Sequence, residues 1–167
     1  MNSTIRRAGV AALAVSAITT LALPASAAPA APVYDIGIEV SSKSTHVAKD
    51  ALVEATVVVS NKGTVEHTGG DWFTIRIPHG IAFSGASGDT WNCVPRLSEA
   101  WAHVHCRSEA AHAPGTSRPP VKFTVRPTIA GSDTNVEVSV AGFRRSETGP
   151  VPNSALLRIT AYGTTAY

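Results

Sequence analysis

The stretch from Trp91 to Cys106, WNCVPRLSEAWAHVHC, gathers the side chains that could do chemistry. It holds both cysteines of the chain, two of its three tryptophans and two of its six histidines. Thiols and imidazoles are metal ligands, and paired thiols can exchange electrons or close a disulfide. Three interpretations are therefore open: a metal site, a redox site, or a disulfide that staples a structural domain.

The spacing of the two cysteines favours the disulfide. Cys93 and Cys106 lie thirteen positions apart, so they lack the Cys-x-x-Cys spacing typical of redox sites. The start of the chain indicates export, and an even number of thiols in an exported chain predicts a disulfide. Closing a loop of about 14 residues stabilises a fold by roughly 3 kcal/mol.

Two histidines in the same stretch are the candidates for metal binding. His103 and His105 are two positions apart, so in a strand both project from one face together with Trp101. Zinc or copper would need a third ligand, which could come from another histidine only through folding. No spacing in the chain matches a known ligand motif, so we predict no metal and no other cofactor. The candidate third ligands are His67, His79 and His112.

Two tryptophans are the candidates for binding. Trp72 and Trp101 both alternate with apolar residues, so each is expected on the outward face of its strand. An exposed indole can stack on a sugar ring or anchor a protein interface. Trp91 precedes Cys93 by two positions, and we expect it to cover the disulfide.

Signals for catalysis are weak. The run FSGASG falls one residue short of the Gly-x-Ser-x-Gly spacing that positions a nucleophilic serine. Asp71, Asp89 and Glu99 could flank a glycoside, but each lies in or beside an expected loop. We predict no catalytic residue and no enzyme activity.

The elements that must position these side chains are strands. Six stretches alternate apolar and polar residues with a period of two, and turn residues separate them. They predict an all-β, immunoglobulin-like antiparallel sandwich of about seven strands. The stretches are 34–40, 53–60, 73–77, 121–125, 136–140 and 157–161.

The beginning of the chain has the pattern of a cleavable secretory signal peptide. Arg6 and Arg7 precede an uncharged run at 8–23, and Ala25-Ser26-Ala27 offers the small residues that a signal peptidase reads. We predict a signal peptide at 1–27, a flexible leader at 28–33 and a single domain at 34–167. Cleavage after Ala27 would remove two of 14 basic residues and leave 12 against 12 acidic ones.

A neutral mature chain argues against nucleic acid as a partner, because phosphate binding needs an excess of basic side chains. No second apolar run follows the signal, so we expect no membrane span. The predicted product is secreted and extracellular, free or associated with the cell wall.

Several motifs resemble the bacterial domain of unknown function eleven, an immunoglobulin-like repeat domain of surface and secreted proteins. The resemblance covers roughly residues 34–141. It implies a sandwich without a known catalytic site, although the family usually occurs as tandem repeats and this chain has one copy. The matching positions are Asn61, Gly63, Pro78, Gly80, Ile81, Trp91, Cys93, Cys106, Pro114 and Gly115.

The sequence therefore predicts a secreted, non-catalytic binding or structural domain of the surface or adhesion type. Its partner would be an extracellular protein or glycan. One alternative is a carbohydrate-binding module that uses Trp72 and Trp101. A second is a metal-binding or hydrolytic protein that uses the histidines.

Overall fold

A computed structural model describes residues 31–97, 101–131, 133–140 and 154–163. The chain divides into two units, 1–30 and 31–167, and all described residues belong to the second. The predicted signal peptide and most of the predicted leader lie outside the described residues. Both therefore stay predictions.

The described residues form strands joined by turns and loops. The ten strands, in chain order, are β1 (Ile36–Ser42), β2 (His46–Ala48), β3 (Val53–Asn61), β4 (Asp71–Pro78), β5 (Ile81–Gly88), β6 (Asn92–Leu97), β7 (Trp101–Ser108), β8 (Val121–Pro127), β9 (Asp133–Val140) and β10 (Ser154–Tyr162).

The strands form two sheets. Four strands make one sheet in the order β1-β3-β8-β5, and six make the other in the order β2-β10-β9-β4-β7-β6. Neighbouring strands are antiparallel except β2 and β10, which are parallel. Alternate residues of both sheets supply one hydrophobic core, in which Phe73 and Phe123 are the largest fully buried side chains. The prediction of an all-β sandwich is confirmed.

All six alternating stretches of the sequence are strands, but the structure has more strands than about seven. β7, which carries His103 and His105, is a seventh expected strand, and the pattern missed β2, β5 and β6. These are edge strands, and edge strands commonly carry residues that interrupt pairing. Gly85 follows a register shift in β5, and Pro95 lies within β6, so neither strand shows the regular alternation of a half-buried strand.

The Asn-x-Gly motif has a structural cause. Asn61 is buried, and its side-chain amide donates to the carbonyls of Val65 and His112, while its Oδ1 accepts from the Gly63 N–H. A Cβ at Gly63 would lie 2.3 Å from the carbonyl oxygen of Val33. Only glycine allows this close approach, which holds the segment before β1 against the turn after β3.

The predicted disulfide is confirmed. Cys93 and Cys106 are bonded and stand directly opposite each other in the β6–β7 pair, so the bond fastens an edge strand to its neighbour. Trp91 packs edge-on against Phe73 with ring centroids 5.0 Å apart, and Phe73 is in turn the partner of Cys106 in β4–β7. Trp91 thus packs at the end of the core near the disulfide.

Within the part of the chain that the structure describes, no helix has the length and apolar character needed to cross a membrane.

Candidate functional site

The outer face of the six-stranded sheet carries the candidate site. In β4, Phe73, Ile75 and Ile77 are buried in the core, so the residues between them point outward. In β7, Ala102, Val104 and Cys106 are buried in the same way. The side chains of β4 and β7 that face away from the core therefore share one surface.

Trp72 lies on this outer face and is half-buried. It stands directly opposite Arg107 in the β4–β7 pair. A pocket of about 300 Å³ is formed beside the indole, with Gly69, His105, Cys106 and Arg107 as its other lining residues. Trp72 thus combines an apolar ring with a neighbouring guanidinium in one concave surface.

The backbone of Trp101 lies at the other end of the same strand pair, opposite Pro78. Its side chain lies outside the described residues. Trp72 and Pro78 are six positions apart in β4, which corresponds to about 20 Å along a strand. The backbones of the two tryptophans are therefore far apart, and the joint role of Trp72 and Trp101 in binding stays a prediction.

His103 and His105 lie between these two ends. His103 is opposite Arg76, and His105 is opposite Thr74. Their ring centroids are 6.2 Å apart. The Thr74 hydroxyl and Nδ1 of His105 form a hydrogen bond of 3.0 Å, which orients the His105 ring at the edge of the Trp72 pocket.

The histidines that could have supplied a third metal ligand are elsewhere. His67 and His112 both bond to Asp71, a buried residue on the inner face of β4, so the sheet separates them from His103 and His105. His79 lies in the exposed turn between β4 and β5. Among the described residues, no three histidine, cysteine or acidic side chains are grouped so that they could hold a metal ion.

The surroundings of His103 disfavour its charged form. Burial lowers the pKa of His103 below the ordinary value of 6.5, and electrostatic interactions with Arg76 and with His105 lower it further. As the pH falls below 6.5, His103 is therefore protonated in the unfolded chain before it is protonated in the folded chain. Protonation of His103 accordingly destabilises the fold in that range.

We expect Arg76→Gln to raise the pKa of His103, because it removes the positive charge opposite the ring. Titration of the His103 Cε1–H resonance by NMR measures the shift directly. Arg126→Gln, an exposed position on the other sheet, is the control and should leave the midpoint unchanged. An unchanged midpoint in Arg76→Gln would contradict the assigned contribution of Arg76.

The candidate face also carries an uneven distribution of charge. Adjacent strands β4, β7 and β6 contain Arg76, Arg107 and Arg96, and their one acidic residue, Asp71, is buried on the inner face. On the neighbouring strand β9, Glu137 is 3.5 Å from Arg76. A second pocket, of about 390 Å³, lies beside this pair. These three strands thus carry basic side chains on their outer face, and Glu137 of β9 pairs with one of them, Arg76.

A buried polar cluster at one end of the core was not predicted. Asp71 and His112 are each 2% exposed, and Arg118 is 7% exposed. Asp71 Oδ2 accepts from Arg118 Nε and from His112 Nδ1 at 2.6 Å, while Oδ1 accepts from His67 Nδ1 at 2.8 Å. The guanidinium of Arg118 also lies over Trp91, 5.9 Å from the ring centroid.

This cluster joins the two sheets. Asp71 begins β4 in the six-stranded sheet, while His112 and Arg118 belong to the connection that leads from β7 to β8 in the other sheet. Asp71 is enclosed by its three partners, so it is not placed as a hydrolytic acid at the surface. Its geometry is that of a structural ion pair that holds the crossing connection.

Comparison with known proteins identifies the fold. No protein-family model matches the chain, and no curated protein is similar to it. The cohesin module of a Clostridium perfringens family 33 glycoside hydrolase is similar in structure, with a TM-score of 0.55 and 11% identity, covering 80% of this chain and 99% of that one. The CARDB domain of a Pyrococcus furiosus protein, solved with two metal ions, has a TM-score of 0.48 and 17% identity, covering 78% and 94%. At 11% identity the similarity to the cohesin module shows a shared β-sandwich fold.

Proposed function

We propose that this chain is a non-catalytic binding module that acts outside the cell. We further propose that it contacts an extracellular protein or glycan through the outer face of the six-stranded sheet. The observation that carries the proposal is the pocket beside Trp72, where an indole, an imidazole and a guanidinium meet on a rigid sheet. Binding sites typically combine an apolar surface with a few polar groups in this way.

The disulfide supports an extracellular location. Cys93 and Cys106 form a bond across an edge strand, and such bonds persist in oxidising compartments. The signal peptide predicted from the sequence leads to the same proposal. The resemblance to the domain of unknown function eleven, which we retain as a proposal, fits a surface or secreted protein.

We propose that the chain is not an enzyme because of the surroundings of the acidic residues near the pocket. Two acidic residues lie near the pocket in sequence: Asp71 is enclosed by a guanidinium and two imidazoles on the opposite side of the sheet, and the carboxylate of Glu109 is held in an ion pair by Arg107. The similar cohesin is a module of a glycoside hydrolase, which supports a role as an accessory domain here. A carbohydrate-binding module is the second candidate function, favoured by the indole that lines the pocket.

Trp72→Ala tests the proposal, because we expect this substitution to weaken binding strongly and to lower the stability of the fold only slightly. We expect the variant to lose ligand capture at least tenfold. It should lose less than about 2 kcal/mol of unfolding free energy, since the ring is half-buried and truncation of a fully buried tryptophan costs about 3–5 kcal/mol. A glycan array and a pull-down from the producing culture measure binding, and urea melts measure stability.

Lys122→Ala is the matched control for the location of the site. Lys122 is exposed on β8, on the outer face of the four-stranded sheet, and we expect its replacement to leave capture unchanged. Loss of capture in Lys122→Ala together with full capture in Trp72→Ala would contradict the proposed face.

A further inference from the structure

We infer that the pocket between Trp72 and Arg107 binds a carboxylated sugar of an acidic polysaccharide. This inference rests on the proposed function and names the chemistry of its ligand. Arg107 pairs the carboxylate, the indole of Trp72 packs on the sugar ring, and His105 hydrogen-bonds at the rim of the pocket.

The register brings these three groups together. Trp72 and Arg107 are directly opposite each other, and opposed residues of an antiparallel pair have Cβ atoms about 5 Å apart. His105 precedes Arg107 by two positions in β7 and so shares its face. A sugar ring that rests on the indole therefore has its substituents within reach of both polar groups.

Arg107 already holds a carboxylate. Its Nε is 2.7 Å from Glu109 Oε1, and its Nη2 is 3.1 Å from Oε2 of the same residue. Planar two-point contact of this kind is what distinguishes guanidinium recognition of carboxylates. The side chains of Arg107 and Glu109 are 60% and 71% exposed, and ion pairs so exposed contribute little. A ligand carboxylate can therefore replace that of Glu109.

The charge of the surroundings favours an anionic ligand. Arg76 and Arg96 lie on the same three strands as Arg107, and the acidic residue of these strands faces inward. The nearby carboxylates of Glu137 and Glu109 form exposed pairs with Arg76 and Arg107, which a ligand carboxylate can compete for. Arg76 on β4 and Arg96 on β6 both stand opposite His103, so a chain of carboxylated sugars extending from the pocket along β7 would pass between these two cations. The basic face thus fits a polymer with repeated negative charges.

A sugar fits this position better than a peptide strand. β4 lies between β9 and β7, and β7 lies between β4 and β6, so neither strand is an edge of the sheet. A peptide therefore cannot add a strand to the sheet at the pocket. Such main-chain pairing gives many peptide complexes their affinity. The ligand meets side chains alone, and these offer a stacking surface and a carboxylate partner.

Calorimetry with trigalacturonate at low ionic strength tests the inference on the folded chain. We expect trigalacturonate to bind and its methyl ester, which lacks the negative charges, to bind at least tenfold more weakly. Arg107→Gln should weaken trigalacturonate roughly tenfold or more, in keeping with loss of a two-point charged contact. Trp72→Ala should weaken it to a similar extent.

Glu109→Gln should strengthen the binding of trigalacturonate, whereas Arg107→Gln and Trp72→Ala should weaken it. Glu109→Gln removes the internal competitor for Arg107, so we expect trigalacturonate to bind about threefold more tightly, as the loss of an exposed ion pair would predict. A residue with only a structural role would not improve binding when replaced. Arg126→Gln, on the other sheet, is the control for overall charge and should leave the affinity unchanged.

Four outcomes would overturn the inference. Equal affinity for trigalacturonate and its ester would exclude carboxylate recognition, and equal losses in Arg126→Gln and Arg107→Gln would show unspecific attraction. Binding of oligoglutamate without binding of trigalacturonate would identify an acidic peptide as the partner. If Trp72→Ala abolishes capture from culture while trigalacturonate does not bind, the inference fails and the proposed function stands.

Discussion

Replacing Asp71 with asparagine is expected to lower the free energy of unfolding by about 3–5 kcal/mol. The carboxylate is 2% exposed and is the common acceptor for Arg118, His112 and His67. Its neutralisation leaves the guanidinium of Arg118, 7% exposed, without a counter-charge. An unpaired buried charge is among the most destabilising defects that a single substitution produces.

Urea denaturation followed by tryptophan fluorescence measures this loss, and Trp91, which lies over Arg118, is a local probe. The matched control is Glu137→Gln, the same chemical change in the exposed pair with Arg76, whose side chains are 57% and 40% exposed. We expect the control to lose less than about 1 kcal/mol. Equal small losses in the two variants would show that the buried cluster contributes no more than a surface pair.

The double variant Cys93→Ala/Cys106→Ala is expected to lose about 3 kcal/mol of stability. The disulfide restricts the unfolded chain and, in the native state, fastens the edge strand β6 to β7. Guanidinium denaturation with and without dithiothreitol measures the effect. The reductant should bring the wild type to the stability of the double variant and leave the double variant itself unchanged.

Two further results would contradict this prediction. Free alkylation of both thiols in the native protein would show that the bond is not formed. A double variant as stable as the wild type would show that the hairpin of β6 and β7 holds its register without the covalent link. In either case the stabilising role assigned to the disulfide would be wrong.

The alternation of residues predicted the half-buried strands because each of them contributes one face to the core. In β3, Val53, Ala55 and Val57 are buried and the residues between them are not. β5 has small residues and a register shift, and β6 has Pro95 and exposed side chains, so the period of two is lost there. β1 is an edge strand as well, but it was predicted because Ile36 and Ile38 are buried in the core, so the signal depends on regular burial rather than on position in the sheet.

The candidate site was predicted in part. The sequence indicated that Trp72 and His105 would project from the side of the sheet away from the core, and the structure brings them to one pocket. It did not indicate Arg107, because the opposition of Arg107 and Trp72 depends on the register between β4 and β7. Register between strands far apart in sequence is set by the whole core rather than by a local pattern.

One feature of the sequence could have predicted the buried polar cluster. Asp71 has the same parity as Phe73 and Ile75, so alternation assigns a carboxylate to the inward face of β4. A charge in that position requires a buried partner. The identity of the partners was not predictable, because His112 and Arg118 lie in an irregular connection.

The position of β10 within its sheet has a consequence for the order of folding. β10 follows every other described strand in sequence, yet it lies inside the six-stranded sheet, between β2 and β9. β2 pairs with β10, so residues 46–48 cannot form this pairing until residues 160–162 are available. Pairing across such separations is slow to form, because the chain between must be ordered first. During synthesis, the larger sheet therefore completes only after nearly the whole domain has been made, which is compatible with the export proposed above.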